Sequence, residues 1–161
     1  MIVVADTSVV LNLCCVGQAE LLPALFNDVF IPPEVAEEFQ RLVVDLPRFT
    51  GLALPPWLRV QRCSAIPESI QSTELDSGES AALALALEIQ ADAVLVDERR
   101  GHEVARHLGL QVIGILGILV RAKTAGLLPA IRPVLEALRT RANFWCSEQL
   151  RDQVLRAAGE Q

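Results

Sequence analysis

Four acidic residues stand where a carboxylate can do chemistry. Asp6 directly follows the apolar run Ile2-Val-Val-Ala5, and Asp97 directly follows Ala93-Val-Leu-Val96. Uninterrupted runs of this kind suit the middle of a parallel sheet covered on both faces. Both aspartates then lie at carboxyl ends of strands, the edge at which open α/β folds bind ligands. Each has a second use: Asp6 can cap a helix opening at Thr7-Ser8, and Asp97 one opening at Arg99. Glu38 belongs to a helix that starts near Pro33, with Val35, Phe39 and Leu42 as its buried stripe. At 100° per residue Glu38 sits about 40° from Leu42, at the edge of that stripe, while Glu37 points away and Glu34 lies on the outer face. Glu79 opens the segment Ser77-Gly-Glu-Ser-Ala-Ala-Leu-Ala-Leu-Ala-Leu, apolar nearly all round and therefore enclosed. A carboxylate there is costly unless it is paired, hydrogen-bonded or bound to a cation, and it can also close a capping box with Asp76 or Ser77.

Asp6, Glu38, Glu79 and Asp97 have no matching basic residue in their immediate sequence. Like charges gathered in one crevice repel, so a convergent acidic site needs protons or a cation. Oxygen-only ligands select hard ions such as Mg²⁺ or Mn²⁺, and those ions serve phosphodiester hydrolysis by holding the phosphate, acidifying water and neutralising the leaving oxygen. Protonation weakens such a site, so activity is expected to rise from pH 5 to 8.

The elements that must hold these residues follow from the same pattern. Strands are expected at Ile2–Ala5, Val29–Ile31, Leu58–Gln61, Ala93–Val96 and Gln111–Ile113. Helices are expected at 8–16, 19–26, 33–43, 77–90, 99–108, 115–125, 129–141 and 147–158. Pro33 and Pro129 suit first-turn positions, Gly109 and Gly126 fall just past helix ends, and Asp45–Pro56 reads as one long irregular connection. Strands alternating with helices give an α/β class, a three-layer α/β/α sandwich around a parallel sheet of about five strands.

Composition bounds the rest. With 161 residues, 52% of them hydrophobic, the chain is not disordered and fits one domain, residues 1–161, on which the C-terminal helices 129–158 pack. No long uncharged apolar run and no basic leader precede Asp6, so neither a membrane span nor a signal peptide is expected, and the location expected is cytoplasmic. Cys14, Cys15, Cys63 and Cys146 have neither zinc nor disulfide spacing and read as reduced packing residues. The net charge of −6 is unevenly spread: residues 1–98 carry 4 Lys+Arg against 15 Asp+Glu, whereas residues 99–141 carry 8 against 2. An acidic pocket beside a basic rim fits a divalent cation with a polyanion across it, and solvated helix faces are the plainer reading of the same bias. Few aromatic residues and no tyrosine leave little for stacking on the bases of a nucleic-acid partner, so shape is expected to set any preference among such partners.

Four segments, Val4-Ala-Asp6-Thr-Ser8, Ile31-Pro-Pro-Glu-Val-Ala-Glu-Glu38, Leu75-Asp-Ser-Gly-Glu79-Ser-Ala-Ala-Leu-Ala-Leu-Ala and Val94-Leu-Val-Asp97-Glu-Arg-Arg-Gly, resemble a PIN-domain nuclease over nearly the whole chain. Their order and spacing are nearest to a branch of bacterial PIN-like proteins grouped with VapC-type toxins. The resemblance implies a Mg²⁺- or Mn²⁺-dependent ribonuclease, often dimeric and often inhibited by a small antitoxin. It maps the catalytic, metal-binding quartet onto Asp6, Glu38, Glu79 and Asp97, and a small hydroxyl onto Ser8 or Thr7. Two departures stand out: Glu79 where many members carry aspartate, and His102 where arginine is common, a histidine that either touches phosphate or faces solvent. Glu98 is a further candidate ligand and equally a first-turn residue favoured by the helix dipole. Ser8, Arg99, Arg100, Arg121 and Lys123 are candidates to hold flanking phosphates of the RNA.

Two other functions remain open on sequence. A phosphatase could use Asp6 as nucleophile, although no second aspartate stands two positions on. A PIN-like module without activity could bind only. The apolar segment Ile115–Val120 is a candidate homodimer surface or an ordinary buried helix, and Leu150, Val154 and Leu155 form a stripe on the last helix that suits the fold or a partner.

Overall fold

The computed structural model describes residues 1–160. In chain order the elements are β1 (Ile2–Ala5), α1 (Thr7–Cys15), α2 (Leu21–Leu25), β2 (Asp28–Ile31), α3 (Pro33–Asp45), β3 (Arg59–Val60), α4 (Glu68–Gln71) and α5 (Ser77–Glu88). There follow β4 (Ala93–Leu95), α6 (Arg99–His107), β5 (Val112–Ile113), α7 (Ile115–Thr124), α8 (Arg132–Arg141) and α9 (Glu148–Ala157). The five strands form one parallel sheet in the order β3-β2-β1-β4-β5.

Successive residues of a strand face opposite sides, so the complete burial of Val3, Val4 and Ala5 means that helices cover both faces at β1. The same holds for Ala93, Val94 and Leu95 in β4, which pairs with β1 through Val3↔Ala93, Val4↔Val94 and Ala5↔Leu95. These two central strands fix the position of the site. Connections run outward through β2 and β3 on one side of β1 and through β5 on the other side of β4. The β1/β4 gap is therefore the point where strand order reverses, and there no helix connection closes the carboxyl edge.

Three expectations need correction. The strand expected at Leu58–Gln61 is only Arg59–Val60, both exposed on the sheet edge, where Arg59 pairs with Asp28 at 3.1 Å. The helix expected from residue 129 begins at Arg132, with Pro133 rather than Pro129 in its first turn. Its first amide groups are held from far along the chain, since Ile131 and Arg132 donate to the Glu160 carboxylate at 2.7 and 3.3 Å. The irregular stretch after α3 contains a 3₁₀ turn at Pro47–Phe49 that buries Phe49, and α4, which buries Ile70, was not expected.

Gly109 and Gly126 do end their helices, with φ of +79° and +77°. In α7, Ile115, Ile118, Leu119 and Ala122 are fully buried, so most of the apolar face considered for dimer contact is used inside the fold. Val154 and Leu155 of α9 are likewise buried, while Leu150 is exposed; α9 lies against α7, and α8 against α1. The four cysteines are free thiols, and Cys15 is buried. Among the described residues no helix is long and apolar enough to cross a membrane.

Candidate active site

Each acid is held by a different element at the β1/β4 gap. Asp6 leaves β1 and is tied to β4, its backbone N–H donating to Leu95 O at 3.0 Å. Its side chain caps α1 by accepting from Thr7 N at 2.8 Å, and the residue is 3% exposed. Burial pushes its carboxyl up from an ordinary 3.8 to about 7; the Thr7 amide opposes that rise, and the charges of Asp76, Glu38 and Glu98 add to it.

Asp97 follows Val96 at the end of β4, but it does not cap α6. Its Oδ1 accepts from Ile115 N at 2.9 Å and so caps α7, while Glu98 occupies the N-cap of α6. Its Oδ2 is buried without a hydrogen-bond partner among the described residues. Burial raises this carboxyl to about 6 against the pull of the Ile115 amide and His102.

Glu79 sits in the first turn of α5, where its backbone N–H donates to Asp76 Oδ1 at 2.8 Å. Its Oε2 is buried and unpartnered. Burial, with Asp76, Asp6 and Glu98 nearby, pushes it up to about 8. Half of the expected capping box is thus present, and the free half is a carboxylate turned into the site. Glu38 is half-buried on α3, its nearest cation being Arg41 at 3.9 Å, and Glu37 is exposed, as the helical angle requires.

Three glycines let these groups approach. A Cβ on Gly101 would lie 2.7 Å from Val96 Cγ1 and 3.0 Å from Glu79 Oε2; one on Gly114 would lie 2.9 Å from Asp97 Oδ1. Around Gly78 the same construction meets Glu38 Oε2, Asp76 Oδ1 and Thr7 Oγ1 at 3.4 to 3.6 Å, so α1, α3 and α5 bring oxygens to one spot. Among the described residues no three acidic, histidine or cysteine side chains are already drawn into a metal cage. Uncompensated like charges resist that last approach.

An open cleft of about 460 Å³ leads to the acids, with Glu38, Asp97, Glu98 and Ser8 on its wall. The expected cations divide. Arg99 lines the cleft and pairs with Glu103 at 3.3 Å; Arg100 is not among the lining residues and pairs with Glu74. Arg121 and Lys123 do not reach the site. α7 starts at Asp97 and carries them toward the opposite edge of the sheet, where Arg121 lies beside Leu25 and Phe26 and Lys123 binds Glu160 at 2.9 Å. Helical rise explains this, since nearly two turns separate Ile115 from Arg121.

His102 is half-buried, with its Nε2 against the Val96 carbonyl. Asp76 and Arg48 were not anticipated. Spacing marks Asp76 only as a cap partner, yet Asp-x-x-Glu at the start of an enclosed helix also brings two carboxylates to one helix end. Arg48 lies in the irregular stretch after α3, stacked over Phe49 at 4.8 Å on the cleft wall.

A family model of the PIN domain (DUF3368) matches residues 2–160. The chain belongs to the PIN domain family. PIN domains are in general nucleases and typically use divalent metals. This PIN domain is similar in structure to a PilT N-terminus domain protein from the hyperthermophilic archaeon Sulfolobus solfataricus P2, with a TM-score of 0.54 and 20% identity over 80% of this chain and 95% of that one. That likeness supports the five-stranded α/β fold. No curated protein matches in sequence.

Proposed function

We propose that this PIN domain is an endoribonuclease that hydrolyses RNA phosphodiester bonds with Mg²⁺ or Mn²⁺, and that it acts as the toxin of a toxin–antitoxin pair. The observation that carries the nuclease reading is the set of buried oxygens without partners at the β1/β4 gap: Glu79 Oε2, Asp97 Oδ2 and Ser8 Oγ, beside the buried Asp6. Such atoms are costly to leave unsatisfied, and an all-oxygen donor set fits a hard divalent cation. Asp6 and Asp97 would hold it, with Glu38 and Glu79 completing the set directly or through water.

A cation of this kind supplies Lewis acidity toward a phosphoryl oxygen and lowers the pKa of a neighbouring water. The chain's own residues do the orienting. The Thr7 and Ile115 amides each fix one oxygen of Asp6 and Asp97, and the Asp76 cap fixes the start of α5 and hence Glu79. Arg48 and Arg99 on the cleft wall offset phosphate charge. A phosphatase with Asp6 as nucleophile is less favoured, since Asp6 lies below the cleft wall with one oxygen committed to Thr7.

The direct test incubates a labelled RNA pool with the protein in Mg²⁺, Mn²⁺ or EDTA, beside an Asp6→Asn/Asp97→Asn variant of confirmed fold. Metal-dependent cleavage that the variant loses is expected; turnover of a phosphomonoester with RNA intact overturns the reading. The toxin role predicts growth arrest on expression in a bacterial host, absent for the double variant and relieved by a small protein encoded beside it. A homodimer is expected by the same analogy, to be checked by light scattering.

A further inference from the structure

Resting on the nuclease reading above, we propose that Trp145 is a stacking platform for an unpaired nucleobase of the RNA that enters this cleft. The cleft also has an aromatic lining: Phe49, Phe144 and Trp145 line the same cavity as Glu38 and Asp97. Three of the seven aromatic residues of the chain line this one cleft.

The local chain presents the indole. At the end of α8, Asn143 takes a left-handed conformation with φ of +56°, which turns the backbone out of the helix. Phe144 N donates back to Leu138 O at 3.0 Å, and the Phe144 ring packs on the core. Trp145 is then left 67% exposed, more than any other aromatic residue that lines the cleft. Its ring is nevertheless held, Nε1 donating to Asn143 Oδ1 at 2.8 Å. An indole whose only polar atom is satisfied within the protein offers its faces, and a π-face recognises a base with little regard to identity.

Paired bases keep their faces inside the duplex, so only an unpaired base can meet this ring. Arg48, stacked over Phe49, and Arg99 line the same cleft and suit the phosphates that link a stacked base to the scissile bond. Trp57 serves as an internal control. It belongs to a different part of the surface, where its Nε1 donates to Glu20 at 2.9 Å.

The experiment uses the full chain carrying Asp6→Asn/Asp97→Asn, to prevent cleavage, and Trp57→Phe, to leave one fluorophore. A short oligoadenylate is titrated against it in Mg²⁺, beside an abasic strand of equal length and a matching duplex. Saturable quenching by oligoadenylate alone is expected. Read by the anisotropy of a dye-labelled oligoadenylate, because these variants lack the reporting indole, Trp145→Ala should bind roughly tenfold more weakly, and Trp145→Phe, which keeps a stacking face, should retain most of the affinity. Equal quenching by the abasic strand or the duplex overturns the proposal, as does unchanged affinity in Trp145→Ala. The two readings fail separately. RNA cleavage by the wild-type protein with no loss of affinity in Trp145→Ala removes the stacking role and leaves the nuclease; base-dependent quenching in a protein that never cleaves RNA removes the nuclease and leaves the stacking.

Discussion

Asp6 and Asp97 share a device: one oxygen is fixed by a backbone amide and the carboxyl is buried at the end of a central strand. Neutral replacements keep the cap geometry and remove the charge. Asp6→Asn and Asp97→Asn, each alone, should therefore lower metal-dependent RNA cleavage by about a hundredfold or more while leaving the circular dichroism spectrum unchanged. Glu38 is half-buried on the cleft wall, and Glu38→Gln should cost less. Retained activity in both aspartate variants would remove these residues from the chemistry.

The same burial sets the pH profile. With Asp97, Asp6 and Glu79 pushed up to about 6, 7 and 8, protons compete with a cation over that range. Cleavage at limiting Mg²⁺ should rise from pH 6 to 8, and raising the metal concentration should move the midpoint to lower pH. A midpoint that ignores metal concentration would point to a titrating group outside the acids. Asp6, Glu79 and Asp97 were visible in the sequence because a strand end or an enclosed helix leaves a carboxylate few other positions. Asp76, Arg48 and Trp145 were not, because their placement depends on a cap, a 3₁₀ turn and a left-handed asparagine that periodicity does not encode.

Among the elements, strands were legible in proportion to their burial. β1 matches its expected bounds because it is covered on both faces; β3, an exposed edge, is shorter than its β-branched residues suggested. The start of α8 was misplaced because its amide partner, Glu160, is distant in sequence and no local capping residue marks the boundary. Close packing between elements was also hidden. Gly101, in the first turn of α6, carries no side chain because Val96 of the strand end and Glu79 of α5 occupy that space. Gly101→Ala should overpack this junction by about 1–3 kcal/mol, seen as a lower melting temperature, and should reduce cleavage through the displaced Glu79. Substitution at Gly109, where nothing lies within 4 Å of the added carbon but φ is +79°, should destabilise through backbone strain while leaving activity per folded molecule intact.

For the whole molecule, the acids oppose folding when no cation is present. Their carboxyls titrate well above ordinary values of 3.8 and 4.5 in the native state, so between about pH 4 and 8 the native protein holds protons that the unfolded chain has released. Unfolding then releases protons, and stability falls as pH rises through this window, levelling off above the native values. In EDTA the melting temperature should accordingly be higher at pH 5 than at pH 8, and the Asp6→Asn/Asp97→Asn variant should flatten that slope. A divalent cation reverses the order, because it binds the deprotonated native site and stabilises by an amount that grows with its concentration relative to Kd. Saturating Mg²⁺ or Mn²⁺ should raise the melting temperature more at pH 8 than at pH 6, and should do little to the double variant. Equal shifts at both pH values, or in both proteins, would mean that the cation binds somewhere other than the β1/β4 gap.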